Sequence, residues 1–125
     1  MIKTIFTQNA PQPVGPYSQA IQADQLLFLA GQIPLDPVSG ELISGGVQDQ
    51  TRRVIENIKA VLEAAGGELS KVVKATVFLK DLKFFDDMNK IFTEYFEKVK
   101  PARSTLQVAR LPKDADVEIE VIAVI

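Results

Sequence analysis

The segments Pro101-Ala102-Arg103-Ser104-Thr105 and Val117-Glu118-Ile119-Glu120-Val121 carry the clearest strand patterns in this chain. Polar and apolar side chains alternate along the second segment, so Glu118 and Glu120 share one face of the predicted strand. Arg103 lies in a similar run that is otherwise suited to burial. Because a buried charge is costly unless it is paired or hydrogen-bonded, these residues either form structural ion pairs or bind a charged ligand.

The rest of the chain alternates between predicted strands and helices. Apolar residues follow a helical stripe from 47 to 65, and Gly66-Gly67 is a typical helix end. A second helix is predicted from 82 to 99, with a cap at Asp81 and a stop at Pro101. The predicted strands cover residues 3–6, 20–23, 26–30, 72–79, 103–109 and 117–125. This order predicts an α/β or α+β layer with both helices against one sheet.

Three further expectations concern which side chains are buried. The run Leu26–Ala30 is continuously apolar, which predicts a strand covered on both faces. Alternation in the fourth strand predicts one shared face for Val73, Ala75, Val77 and Leu79. The predicted buried face of the second helix consists of Phe85, Met88, Phe92, Tyr95, Phe96 and Val99.

Length, charge and the start of the chain restrict the class of protein. A chain of 125 residues with 46% hydrophobic residues is expected to form a single domain, 1–125, with its own core. The net charge of −2 provides no attraction to nucleic acid. Met1-Ile2-Lys3-Thr4 lacks the apolar stretch of a signal peptide, and no run reaches transmembrane length. We therefore expect a soluble cytoplasmic protein that does not contact a membrane, and the composition gives no support to nucleic-acid binding without excluding RNA.

The chain contains no cysteine and no histidine. Disulfides, thiol nucleophiles, Ser-His triads and the usual zinc sites are thereby excluded. No glycine-rich nucleotide motif occurs either. Acid–base catalysis at neutral pH would fall to a carboxylate, a tyrosine, a lysine or a bound water, and we expect no metal or cofactor.

An arginine and a carboxylate brought to one cleft, by neighbouring strands or neighbouring subunits, would suit a small carboxylic acid. Alternation puts Arg103 and Thr105 on one face of their strand. A guanidinium binds a carboxylate through two parallel charge-assisted hydrogen bonds, which lysine cannot reproduce. Glu118 would then hold a water molecule or move a proton. The structural alternative is that Arg103 pairs with an acid while Glu118 and Glu120 line a solvated face.

Three other residues have both a structural and a functional interpretation. Tyr17 follows a proline turn, where a tyrosine more often covers the core than supplies a catalytic hydroxyl. Asn89 lies on the second helix, where asparagine is ordinarily a surface residue, and Gly31 ends a strand. The residues alone thus indicate a soluble domain with a candidate anion site.

Motifs spread over the whole chain resemble those of one family. Gly-Pro-Tyr-Ser is weak alone, whereas the C-terminal pattern is specific. The matching segments are Asn9-Ala10-Pro11, Gly15-Pro16-Tyr17-Ser18-Gln19-Ala20, Ala30-Gly31-Gln32-Ile33-Pro34, Gln50-Thr51-Arg52, Asn57-Ile58-Lys59, Val73 to Asp81, Pro101-Ala102-Arg103-Ser104, Ala109-Arg110-Leu111-Pro112 and Val117-Glu118-Ile119-Glu120. Together they make the chain similar to the RidA (YjgF-type) family, the enamine/imine deaminases.

The resemblance implies a chorismate-mutase-like α+β fold, with one mixed sheet and two helices on one face, in a homotrimer with clefts between subunits. It implies cofactor-free hydrolysis of 2-imino acids such as 2-iminobutanoate and 2-iminopropanoate to 2-oxo acids and ammonia. By the same resemblance, Arg103 binds the substrate carboxylate and Glu118 positions the water. Tyr17 packs over the site, the Gly31 backbone faces the imine, and Asn89 belongs to the same site.

Two positions depart from the pattern of many members. Ala30 stands in place of a serine, and Thr105 stands in place of a cysteine, which excludes a thiol-dependent mechanism but keeps the backbone contacts of that position to substrate. One alternative function is a module that binds small 2-oxo or amino acids without turnover, which needs Arg103 but not Glu118. An endoribonuclease is a further alternative that the family's older names suggest and the acidic composition disfavours.

Overall fold

The computed structural model describes all 125 residues and consists of six strands and two α-helices. The strands are β1 (Ile2–Ile5), β2 (Ala20–Ala23), β3 (Leu26–Leu29), β4 (Val72–Leu79), β5 (Ala102–Gln107) and β6 (Val117–Val124), and the helices are α1 (Val47–Ala64) and α2 (Phe85–Phe96). They form one sheet in the order β1-β2-β3-β6-β4-β5, in which only β4 and β5 run parallel. The prediction of an α+β fold with one mixed sheet and two helices on one face is confirmed.

Strand β6 lies between β3 and β4, and its alternation places it there. Val117, Ile119, Val121 and Ala123 are buried in the core beneath the helices, while the intervening side chains point to the other face. The inward side chains of β4 and the apolar stripes of both helices complete this core. The sheet is thus covered by helices on one face only.

Helix α1 follows the predicted stripe and ends where the glycine pair predicts. Gly66 has a φ of 81°, and its N–H donates to the Glu63 carbonyl at 3.0 Å. The Gly67 N–H donates to the Leu62 carbonyl at 2.8 Å. This pair of bonds is a Schellman motif, which needs a left-handed residue at the position of Gly66.

Helix α2 begins after a 3₁₀ turn, Leu82–Phe84, where the side chain of the predicted cap, Asp81, accepts the Lys83 N–H at 2.9 Å. Its α-helical part ends at Phe96, three residues before the predicted end at 99. The prediction that Val99 is buried was wrong, since Val99 lies beyond the helix and is exposed. Neither α1 nor α2 combines the length and hydropathy that a membrane-spanning helix requires.

Two predictions of burial in the strands were also wrong. An irregularity between Val72 and Lys74 shifts the register of β4, so Val72 rather than Val73 points into the core. In β3, Leu26 and Phe28 are 40% and 42% exposed, because no helix covers the outer face of the sheet. That outer face therefore presents apolar surface to its surroundings.

We predict that Gly66→Ala lowers the free energy of unfolding by about 1 kcal/mol, because a Cβ is disfavoured in the left-handed conformation. Gly67→Ala is the matched control, since its φ is ordinary and an added Cβ would lie 3.4 Å from the nearest atom, the Leu62 carbonyl oxygen. Urea denaturation of both variants measures the difference. Equal destabilisation by the two substitutions would contradict the assignment of the motif.

Candidate active site

The six residues predicted from the sequence fall into two clusters on opposite faces of the sheet. In the parallel pair β4–β5, Arg103 lies beside Ala75 and Thr105 beside Val77, so both side chains face the helices. In the antiparallel pair β4–β6, Glu118 lies beside Phe78 on the other face. Neighbouring strands of one chain therefore do not bring Arg103 and Glu118 into the same cleft.

The first cluster surrounds the guanidinium of Arg103. Its Nη1 donates to Asn89 Oδ1 at 2.7 Å, and its Cζ lies 4.8 Å from the ring centre of Phe92 and 5.4 Å from that of Phe85. No carboxylate of the chain lies within ion-pair distance of Arg103, so the alternative of a structural ion pair is wrong within the chain. Burial lowers the pKa of Arg103, but a guanidinium stays charged in proteins. The side chain is held in place with donors left for an anion.

A cavity of about 510 Å³ opens beside this guanidinium and is lined by Asn89, Phe92 and Arg103 among others. Thr105 lies two residues farther along the same face of β5. Its Oγ1 is buried and has no hydrogen-bond partner in the chain. Buried hydroxyls are nearly always hydrogen-bonded, so this one is an exception, although Thr105 does not itself line the cavity.

The second cluster surrounds the carboxyl of Glu118, in a cavity of about 570 Å³ that Tyr17 and Gly31 also line. The Glu118 carboxyl packs directly on the Gly31 backbone, and a Cβ at Gly31 would lie 2.9 Å from Glu118 Cδ. Only a glycine leaves room for this contact. Tyr17 is 54% exposed at the mouth of the cavity, and its hydroxyl accepts the Val14 N–H at 3.4 Å. Tyr17 thus covers the cavity rather than the core.

The electrostatics of the second cluster raise the pKa of its carboxyl group. Partial burial raises the pKa of Glu118, and the like charge of Glu120 adds to this effect. No lysine or arginine of the chain lies within 4 Å to offset it. A carboxylate whose pKa is raised is a stronger base than a hydrated one, and is therefore better suited to accept a proton. The alternative that both glutamates line a solvated face holds only for Glu120, which is exposed.

Two glutamines that the sequence reasoning did not select support the second cluster. Gln19 is buried, accepts the Thr7 N–H at 2.7 Å, and donates to the Thr7 and Pro11 carbonyls at 3.0 and 2.9 Å. It thereby holds the loop that forms one wall of the cavity. Gln50 binds Asp116, just before β6. Both glutamines lie in the motifs quoted above, but their partners are distant in sequence and leave no local signal.

Lys113 also lines the Glu118 cavity and lies in a segment with a strained backbone. Lys113 and Asp114 have φ values of 55° and 60°, and each such residue costs about 1–3 kcal/mol. Asp114 lies 3.3 Å from Lys80 Nζ and 3.8 Å from Arg110 Nε. Solvent-exposed ion pairs contribute only about 0.2–1 kcal/mol each. Buried contacts must therefore supply the remaining free energy that offsets the backbone strain of this segment.

No three acidic, histidine or cysteine side chains come together in a group that could hold a metal ion. The groups available for chemistry are thus a guanidinium with an amide and a hydroxyl on one face, and a carboxyl with a backbone and a phenol on the other. The first set has the chemistry to bind an anion, and the second has the chemistry to exchange a proton.

The matches between this chain and known proteins extend over nearly its whole length. Residues 7–125 match the model of the family described as endoribonuclease L-PSP. A RutC family protein from Pyrococcus horikoshii is 58% identical over 123 residues, covering 98% of each chain. A 2-iminobutanoate/2-iminopropanoate deaminase from Mus musculus is 46% identical, covering 98% of this chain and 90% of the relative. The crystal structure of E. coli TdcF with bound serine has a TM-score of 0.94 at 44% identity and covers 98% of each chain.

We predict that Gly31→Ala folds normally but displaces the Glu118 carboxyl, because the atoms in the way are the mobile end of that side chain. Gly46→Ala is the control, since an added Cβ there meets nothing within 4 Å. Thermal unfolding tests the first part, and a crystal structure of the variant tests the second. A Glu118 carboxyl that keeps its place in Gly31→Ala would contradict the prediction.

Proposed function

The chain belongs to the endoribonuclease L-PSP family, which comprises the YjgF/RidA proteins, and we propose that it hydrolyses reactive 2-imino acids and their enamine tautomers to 2-oxo acids and ammonia. The proposed substrates, 2-iminobutanoate and 2-iminopropanoate, are those in the name of the mouse relative. The observation that carries the proposal is the Glu118 carboxyl, which lies on the Gly31 backbone with a raised pKa and no cation of its own chain. A simple carboxylate-binding module would gain nothing from such a group.

Substrate binding falls to the Arg103 cluster. The guanidinium takes the substrate carboxylate in a two-pronged, charge-assisted contact. Asn89 fixes the guanidinium from one side, and the Phe85 and Phe92 rings lie against it. Thr105, on the same face of β5, contributes backbone contacts to the same ligand. The serine bound by E. coli TdcF has the same α-carboxylate, which supports a small carboxylate as the ligand.

The chemistry falls to the Glu118 cluster. The Gly31 carbonyl accepts a hydrogen bond from the iminium nitrogen, and Glu118 holds a water molecule against C2. As the water oxygen bonds to C2, its proton passes to Glu118 and the C=N electron pair moves to nitrogen. Glu118 then returns this proton to the nitrogen. As the C–N bond breaks, the hydroxyl group passes its own proton to Glu118 and becomes the carbonyl of the 2-oxo acid. Ammonia leaves and takes up that proton from Glu118 as ammonium. Holding the water in line with C2 is the main source of acceleration, because an iminium carbon is already electrophilic.

The two clusters meet if the protein is a homotrimer with its sites between subunits. Arg103 and Glu118 lie on opposite faces of one sheet, so a cleft that contains both needs a second copy. The outer face of the sheet carries Leu26 and Phe28 exposed, which is apolar surface of the kind that subunit contacts cover. Tyr17, at the mouth of the Glu118 cavity, would then close over substrate held by the partner subunit's Arg103.

We predict that Arg103→Ala lowers kcat/KM for 2-iminobutanoate by about 100-fold or more, because each charge-assisted hydrogen bond lost costs about 1.5–3 kcal/mol. The imine is generated in situ from threonine by a dehydratase, with semicarbazide as competitor, and 2-oxo acid release is followed. Arg52→Ala is the control, since Arg52 is exposed and pairs only with Glu94. Normal activity in folded Arg103→Ala would refute this role.

We predict that Glu118→Gln keeps affinity for a small 2-oxo acid but loses turnover, because the amide cannot accept the proton of water. Glu120→Gln, an exposed glutamate on the same face of β6, should keep both properties. Calorimetric binding of 2-oxobutanoate and the imine assay measure the two properties separately. A wild-type protein that binds the 2-oxo acid without accelerating hydrolysis would favour the binding module instead.

A further inference from the structure

Gln50 joins helix α1 to the segment that leads into strand β6. It is 5% exposed, its Nε2 donates to Asp116 Oδ2 at 3.1 Å, and its Oε1 accepts the Asp116 N–H at 2.9 Å. The Asp116 carbonyl in turn accepts the Lys80 N–H at 3.0 Å. Asp116 is thus held through its side chain, its N–H and its carbonyl, two residues before Glu118.

The segment held in this way is the strained wall of the Glu118 cavity. Pro112 and Lys113 line that cavity, and Lys113 and Asp114 are both left-handed. The ion pairs of Asp114 lie at the surface, whereas the Gln50 carboxamide is buried. A buried hydrogen bond is less exposed to competition from water than a surface ion pair, so Gln50 is the polar attachment of this segment, beside the buried Leu111 and Ala115 side chains.

We propose that Gln50 is a positioning residue, which through Asp116 sets how closely the Glu118 carboxyl packs on the Gly31 backbone. The proposal rests on the proposed function insofar as Glu118 handles the water. Gln50 itself touches neither substrate nor water. If Asp116 moves, strand β6 enters the sheet differently and the Glu118 carboxyl withdraws from Gly31 into solvent.

The charged and titratable groups that face Glu118 come from four places. Glu120 follows it on β6, Lys113 and Tyr17 line the same cavity, and Arg103 of the partner subunit faces it in the proposed trimer. All of these remain in a Gln50 variant. A change in the pKa of Glu118 on substitution of Gln50 therefore reports a change of its position and hydration.

The test compares Gln50→Ala with Gln48→Ala, assayed as the full-length protein. Gln48 lies on the same helix, but its amide binds Asp87 of α2 at 2.9 Å and not the Asp116 segment. In Gln50→Ala we expect kcat to fall by about 10- to 100-fold with KM unchanged, because Arg103 still binds substrate while the water is misplaced. We expect ¹³C NMR titration to show the Glu118 pKa moving towards about 4.3, the value of a hydrated glutamate. Gln48→Ala should match the wild type in both measurements.

A Gln50→Ala protein with a lowered melting temperature but unchanged kcat and Glu118 pKa would overturn the proposal and leave Gln50 a structural role alone. If Gln50→Ala does not fold, Asp116→Ala removes one of the two hydrogen bonds and is judged by the same two measurements. A wild type without imine hydrolysis would refute the proposed function, whereas the NMR titration would still decide whether Gln50 positions Glu118.

Discussion

The alternation of side chains across a single sheet is the constraint on which the whole site depends. Successive residues of a strand point to opposite faces, and β6 must bury Val117 and Ile119 against the helices. The Glu118 side chain must therefore point to the face of the sheet that no helix covers. The same rule sends Arg103 of β5 to the helix face, beside Asn89 and Phe92. The sheet thus separates the guanidinium from the carboxyl within one chain, and the proposed trimer would bring them into one cleft.

Each half of the site contains groups that folding alone would not favour. Arg103 is partly desolvated without a counter-ion, Glu118 is partly buried beside another glutamate, and the Thr105 hydroxyl has no partner. Lys113 and Asp114 add backbone strain. Such features persist only where surrounding contacts over-determine them. Asn89 supplies such a contact to Arg103, and the buried carboxamides of Gln19 and Gln50 hold segments around the Glu118 cavity. Conflicts between local preference and global fold are expected at functional sites, and here they cluster around the two cavities.

Strong periodicity made most of the fold predictable from the sequence. The helix stripe ending at Gly66 and the alternation of β6 are local patterns, and both are confirmed. The wrong predictions concern residues whose burial depends on contacts that are distant in sequence. A register shift in β4 exposes Val73, and the absence of a second helical layer exposes Phe28. The site residues followed from the resemblance of motifs, but their division between two faces became visible only with the strand register. The contact of Gln50 could not be predicted from the sequence, because its hydrogen-bond partner, Asp116, is 66 positions away.

The most direct test of this account mixes two inactive proteins, Arg103→Ala and Glu118→Gln, by unfolding and refolding them together. If each site takes Arg103 from one subunit and Glu118 from another, random mixing in a trimer regenerates about one wild-type cleft in four. Imine hydrolysis should then return to about a quarter of the wild-type rate, although neither variant is active alone. A mixture that forms hybrid trimers and stays inactive would contradict a site built from the two faces of neighbouring chains.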